Sequence, residues 1–289
     1  MSIDLSWVSA QFPDLRNVAM LSQGGQKIVL SAGHPQHGHV VLKIIHPSQD
    51  ASSVKREILS TQKIKSGRIP KIYATGQLQS PLGLCIWLLE QRILGMTLRE
   101  CLCNGAFSSG EVLKLGIQIL EVIVQAEAEG IVHRDIKPEN IMRDTQGEYW
   151  LLDFGIARHL QLYSLTPTMN PFGKFKPGYA PPEQYKNIKT DIDNRADLFA
   201  LGVTLYECAT GSNPFISGTR DVVETLQRVD TISFPALNIS CSFSGTCGAM
   251  NDFICTLTQK RRDRRVNNAK EALDWVNDII SKEGLSSQP

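Results

Sequence analysis

Between Gly130 and Gly155 the chain carries two polar loops, each seated beside a short apolar run. The first is His133-Arg134-Asp135-Ile136-Lys137-Pro138-Glu139-Asn140, followed by Ile141 and Met142. The second is Asp153-Phe154-Gly155, entered from Tyr149-Trp150-Leu151-Leu152. Asp144-Thr145-Gln146-Gly147 separates them, and its turn chemistry predicts a reversal that lays two short strands side by side. Such a hairpin brings Asp135, Asn140 and Asp153 to one edge. Three hard oxygen side chains together suit a magnesium site that also receives phosphate oxygens.

Composition sets the frame for this site. The 289 residues are 42% hydrophobic and 20% charged, an ordinary soluble balance with enough apolar mass for a sizeable core. A formal net charge of +1 excludes bulk electrostatic attraction to nucleic acid or to an anionic membrane. The sequence has no run apolar and long enough to cross a bilayer and no basic-then-apolar leader, so the expectation is a cytoplasmic protein without a membrane span. Its seven cysteines include no CxxC pair, and reduced, structural thiols are expected. His34, His37 and His39 crowd one turn, but with no carboxylate or cysteine beside them they read as a solvated hairpin rather than a metal site.

The pattern H-R-D-x-K-x-x-N followed by D-F-G resembles the catalytic and metal-binding loops of the protein kinase superfamily. Pro177-Gly178-Tyr179-Ala180-Pro181-Pro182-Glu183-Gln184 resembles the end of the kinase activation segment, in the P-P-E form common among bacterial eukaryotic-like (Hanks-type) serine/threonine kinases. The resemblance implies an α+β, two-lobed kinase fold, with a small β-rich N-lobe at about 15–91 and a larger, mainly helical C-lobe at about 92–281. Residues 1–14 are then an N-terminal extension with no clear element, either a strap on the N-lobe or a frayed end, and 282–289 a flexible tail.

In chain order, 17–22, 27–32 and 40–45 read as strands joined by Gly-containing turns. The turn between the first two should carry the glycine-rich phosphate loop. In the register that ends on Val29, only Gly24 of its glycines is kept, with Gly25 beside it, and Lys27 stands where a third glycine is expected. Lys27 either supplies positive charge there or is an ordinary strand lysine. Val40-Val41-Leu42-Lys43 matches the strand whose lysine holds the α- and β-phosphates. A helix over 51–65 brings Glu57, the expected ion-pair partner of Lys43. Strands near 71–76 and 84–89 complete the lobe. The segment from Glu90 and Gln91 to Leu94 is the expected adenine-binding hinge, and either Leu89 or Glu90 closes the pocket's rear. Ser108-x-x-Glu111 is a capping box that starts a helix running to about Glu129. The segment from Arg195 to Gly202 opens a helix apolar almost all round, which must be buried. Asn268 caps a last amphipathic helix.

By the same resemblance, Asp135 takes the substrate hydroxyl proton, Lys137 steadies the γ-phosphate, and Asn140 and Asp153 hold Mg2+, with Mn2+ as an alternative. Lys137 points to serine/threonine specificity. His133 and Arg134 are structural parts of the loop, Asp197 holds its backbone, and Arg265 pairs with Glu183. Arg134 belongs to a basic pocket that a phosphorylated activation segment quenches, which makes Thr166 and Thr168 the expected autophosphorylation sites. Lys176 replaces the threonine that the family places against the catalytic aspartate, as a brake or a substitute clamp. Two other functions compete with an ATP-dependent serine/threonine kinase. A nucleotide-binding or partner-binding pseudokinase draws on the depleted glycine loop and Lys176. A small-molecule kinase of the aminoglycoside type is opposed by Pro181-Pro182-Glu183. The protein substrate is not legible, and regulation is expected from a partner, a dimer or the chain itself.

Overall fold

The computed structural model describes residues 4–24, 27–45, 58–59, 61–81, 83–154, 177–186, 192–237 and 246–282. Five strands form the first layer: β1 (Arg16–Gln23), β2 (Lys27–His34), β3 (Gly38–Ile45), β4 (Ile72–Ser80) and β5 (Gly83–Gln91). They pair antiparallel in the order β1-β2-β3-β5-β4. The two-residue side-chain period divides this sheet into two faces. Val40, Leu42 and Ile44 of β3 join Ile28, Leu30 and Ala32 of β2 on the outer face. Lys43 and Ile45 fall on the other face, where Ile45 packs with Ile86 and Leu88 of β5 and with Ile58.

The outer face is covered from the N-terminus, where the structure corrects the expectation of no clear element. Leu5–Gln11 form a short helix, α1, capped by Asp4, whose carboxylate accepts the Ser6 N–H. Val8 is fully buried in the outer-face cluster, and the Phe12 ring meets the edge of Trp87 at 5.3 Å between centroids. Residues 4–14 are therefore a docked strap.

A small sheet links the lobes: β6 (Gly95–Thr97), β7 (Ile141–Asp144) and β8 (Tyr149–Leu151), in that order. Gly95 is obligatory here, since a Cβ would lie 2.1 Å from the Arg143 carbonyl oxygen. The C-lobe adds α2 (Leu98–Leu102), α3 (Ser109–Ala128), α4 (Pro182–Tyr185), α5 (Arg195–Thr210), α6 (Val222–Thr231), α7 (Thr246–Leu257) and α8 (Ala269–Lys282). The Ser108/Glu111 capping box is formed at the start of α3, and the Asn268 side chain accepts the Glu271 N–H at α8. Every residue of α5 from Ala196 to Ala209 is buried, so this helix is the post on which the lobe packs. Around it α3, α7, α8 and β8 close one continuous apolar core.

Among the described residues no helix is long and apolar enough to cross a membrane, and no group of three or more His, Cys, Asp or Glu could hold a metal ion. His34 stacks on His37 and His37 on Tyr73, with centroids 4.6 and 4.0 Å apart. The five cysteines whose side chains are described are free thiols.

Candidate active site

The hairpin β7–β8 sets the two loops. Asp144 Oδ1 accepts the N–H groups of Gln146 and Glu148, and Gly147 supplies a φ of +79°, so the turn closes tightly. One step back, the Leu152 N–H bonds to the Asn140 carbonyl at 2.8 Å, which ties the end of the first loop to the start of the second.

The first loop hangs on α5. The buried Asp197 carboxylate accepts the His133 and Arg134 N–H groups, each at 2.7 Å. Burial pushes its pKa up, with His133, Arg134 and these two N–H donors opposing the shift. His133 is also fixed: its Nδ1 accepts the Asp135 N–H at 3.2 Å, so the proton sits on Nε2, which donates to the Leu152 carbonyl at 2.8 Å. The same ring stands edge-on to Phe154, 4.6 Å between centroids. Arg134 adopts φ +67° and Asp153 φ +61°, a left-handed backbone that non-glycine side chains rarely take. The Arg134 carbonyl in turn accepts from Gln184 of α4.

This scaffold presents Asp135 with defined neighbours. Lys137 Nζ donates to Asp135 Oδ2 at 2.5 Å, and Asn140 Nδ2 donates to both Asp135 Oδ2 and the Asp135 carbonyl at 2.7 Å. With Nδ2 committed to Asp135, Oδ1 is the Asn140 atom that can face a cation.

Across the cleft, Lys43 is 4% exposed and meets two carboxylates: Asp153 Oδ1 at 2.7 Å, and Glu90. Lys27 Nζ reaches Asp153 Oδ2 at 2.7 Å. Burial alone would lower the Lys43 pKa, but Asp153 and Glu90 outweigh it and hold the ammonium above its usual range. Burial likewise disfavours ionised Asp153, yet Lys43 and then Lys27 hold its carboxyl well below the ordinary value. Glu90 is pushed up by burial, with Lys43 opposing. Asp153 Oδ1, although in ionic contact with Lys43, accepts no well-directed hydrogen bond. An ionised carboxylate on one loop and an amide oxygen on the other are the hard oxygen ligands that a divalent cation takes.

Strand register distinguishes Leu89 from Glu90, the two residues expected at the pocket's rear. β5 runs through Gln91, and its register sets Leu88 opposite Lys43 and Glu90 opposite Val41. Leu89 therefore packs in the outer-face cluster with α1, while Glu90 turns inward to Lys43. Behind it, Ile72, Leu88, Glu90, Asp153 and Phe154 border a cavity of about 310 Å³. The Gln91 and Arg92 N–H groups are taken by the Lys71 and His39 carbonyls. Gly24 donates its N–H to the Lys27 carbonyl, and Val29 pairs with Lys43 across β2 and β3. Glu57, Gly25, Lys176, Thr166 and Thr168 lie outside the described residues.

The C-lobe contacts complete the frame. Arg265, with no exposed side-chain surface, donates to both Glu183 oxygens, at 2.5 and 2.9 Å. Arg99 of α2 donates to Glu207 at 2.7 Å and to the Tyr179 hydroxyl at 2.6 Å, and Tyr179 also bonds Glu207. Sequence reasoning had not assigned Arg99, Tyr179 and Glu207, nor the Lys27–Asp153 pair. Glu90 is named from the sequence, but its pairing with Lys43 is not, and the signal for it is a lone acid ending the apolar run 84–89. For the others, the partners lie too far apart in the chain for any local pattern to show them.

The model of the protein kinase domain matches residues 16–276. The chain belongs to the protein kinase family. Among its curated relatives are three bacterial proteins. It is 29% identical to a probable serine/threonine-protein kinase of Clostridium acetobutylicum, over 83% of this chain and 36% of that protein. It is 32% identical to the probable serine/threonine-protein kinase PknB of Bifidobacterium longum, over 78% and 32%. It is 34% identical to the serine/threonine-protein kinase PrkC of Bacillus subtilis, over 56% and 24%. The kinase chain thus spans about a quarter to a third of the length of these relatives. The two-lobed α+β reading and the bacterial serine/threonine resemblance agree with these matches. Protein kinase domains in general use ATP and divalent cations and act on protein acceptors.

Proposed function

We propose that this kinase transfers the γ-phosphate of magnesium-bound ATP to serine or threonine hydroxyls of proteins. The observation that carries the reading is Asp135, held by Lys137 and Asn140 on a loop whose backbone hangs from Asp197. Asp135 accepts the hydroxyl proton as the hydroxyl oxygen attacks the γ-phosphorus, whose bond to the β–γ bridging oxygen breaks to release ADP. Lys137, now on Asp135, steadies the charge that spreads over the transferring phosphoryl group. Asn140 and Asp153 would hold Mg2+, which when bound would neutralise phosphate charge. Lys43 pins the other end of the polyphosphate. ATP as donor assigns the reaction to the cytoplasm. Autophosphorylation at Thr166 or Thr168 and control by a partner or a second copy belong to the same reading.

Phosphate transfer to a serine-containing protein acceptor, followed for the wild type and Asp135→Asn, tests it. The variant should bind MgATP within about twofold of the wild type while transfer falls by roughly 10²–10⁴. Substantial transfer by the variant would remove Asp135 from its role.

A further inference from the structure

The Lys27–Asp153 pair has no part in the chemistry above. Lys27 opens β2, its carbonyl is fixed by the Gly24 N–H at 2.8 Å, and its backbone pairs with Ile45 of β3. Its backbone is held at both points, and its side chain is the part that enters the cleft. That side chain spans the cleft to Asp153, 126 positions away, and both groups are about one-fifth exposed.

Four charges therefore meet here: Lys27, Lys43, Glu90 and Asp153, which sum to zero. The two lysines are not equivalent. Lys43 has a second carboxylate, Glu90, behind it on β5. Among the described residues Lys27 pairs with Asp153 alone. When Asp153 turns to a divalent cation, Lys43 keeps a partner and Lys27 is left with an uncompensated charge facing the phosphates. The loop from Ser22 to Val29 is also short of the glycines whose amides would otherwise line that side.

We propose that Lys27 is a second phosphate-binding cation of the nucleotide site, exchanging Asp153 for the polyphosphate of MgATP when the metal arrives. Lys43 then stays anchored at the rear by Glu90, and Lys27 closes on the nucleotide from above, supplying by charge what a row of backbone amides would supply by dipole. This rests on the reading of Asp153 as the metal-binding carboxylate.

Calorimetric titration of the whole chain with MgATP and with adenosine tests it, using the wild type, Lys27→Met and Lys27→Arg. Lys27→Met should weaken MgATP about tenfold, the loss of one charge-assisted contact, with adenosine affinity unchanged. Lys27→Arg should stay close to wild type for both. Adenosine is the internal control for folding, and Lys27→Gln replaces the methionine variant if that one fails to fold. Unchanged MgATP affinity in Lys27→Met, or an equal loss for adenosine, would show that Lys27 serves only as a clamp on Asp153. Absence of saturable MgATP binding by the wild type would overturn the site reading and this inference together. Wild-type binding with an indifferent Lys27→Met would overturn the inference alone.

Discussion

Arg265 carries a full charge with no side-chain surface exposed. Both Glu183 oxygens, the carbonyls of Arg195, Gln259 and Lys260, and the Phe199 ring at 4.9 Å surround it. Truncating one member of such a pair strands the other charge in the interior. Arg265→Ala should therefore destabilise the fold by about 3–5 kcal/mol, read from urea denaturation. Removing both charges at once with Glu183→Leu/Arg265→Met should cost less. Glu90 makes a different residue-scale prediction, because its partner works on nucleotide. Once MgATP draws Asp153 away, Glu90 is the β5 anchor left to Lys43. Glu90→Gln should raise the KM for ATP roughly tenfold, about 1.4 kcal/mol, in steady-state kinetics. An unchanged KM would mean that Lys43 is oriented from elsewhere. The sequence names Lys43, Asp135, Asn140 and Asp153 because each sits in a loop or strand of fixed local register. It leaves the rear of the pocket open between Leu89 and Glu90, which only strand pairing decides.

At the scale of elements, α5 shows how packing overrides propensity. Gly202 lies in its middle, where glycine costs about 1 kcal/mol against alanine. Yet a Cβ there would stand 2.8 Å from the Leu257 Cβ and 2.9 Å from Thr258 Cγ2. Gly202→Ala should thus be net destabilising, with the overpacking cost of about 1–3 kcal/mol exceeding the propensity gain. A rise in melting temperature would show that α7 can shift aside. The apolar circumference of α5 was plain from its composition, and so was the Ser108/Glu111 start of α3. The short α1 was not. Its cap, Asp4, was present in the chain, but seven residues carry too little periodicity to show a helix. Tertiary contact with Trp87 supplies what the local signal lacked.

At the scale of the whole molecule, the cleft is held partly by charge between the lobes: Lys27 and Lys43 from the sheet, Asp153 from below. The Asp153 pKa is lowered in the folded state, so its contribution is fully present above the unfolded value of about 4 and is lost as pH falls through the lower folded value. In Asp153→Asn the deficit in unfolding free energy against wild type should be widest at neutral pH and narrow below about pH 4. A deficit independent of pH would assign the loss to packing instead. These links were the least legible in the sequence. Lys27 and Asp153 are 126 positions apart, and the Arg99–Tyr179–Glu207 contacts join α2, the segment before α4, and α5. Such meetings follow from the assembled fold, and no single stretch carries them.

Two of the three non-glycine residues at positive φ among the described residues are Arg134 and Asp153. Each such backbone costs on the order of 1–3 kcal/mol and persists because its surroundings over-determine it. An engineer ranking variants by heat resistance would be drawn to these positions, where glycine relieves the backbone. The robust proteins so obtained would have traded away the loop geometry on which turnover depends. Any thermostabilisation of this chain should hold Arg134 and Asp153 fixed and look for its gains on the solvent-facing helices instead.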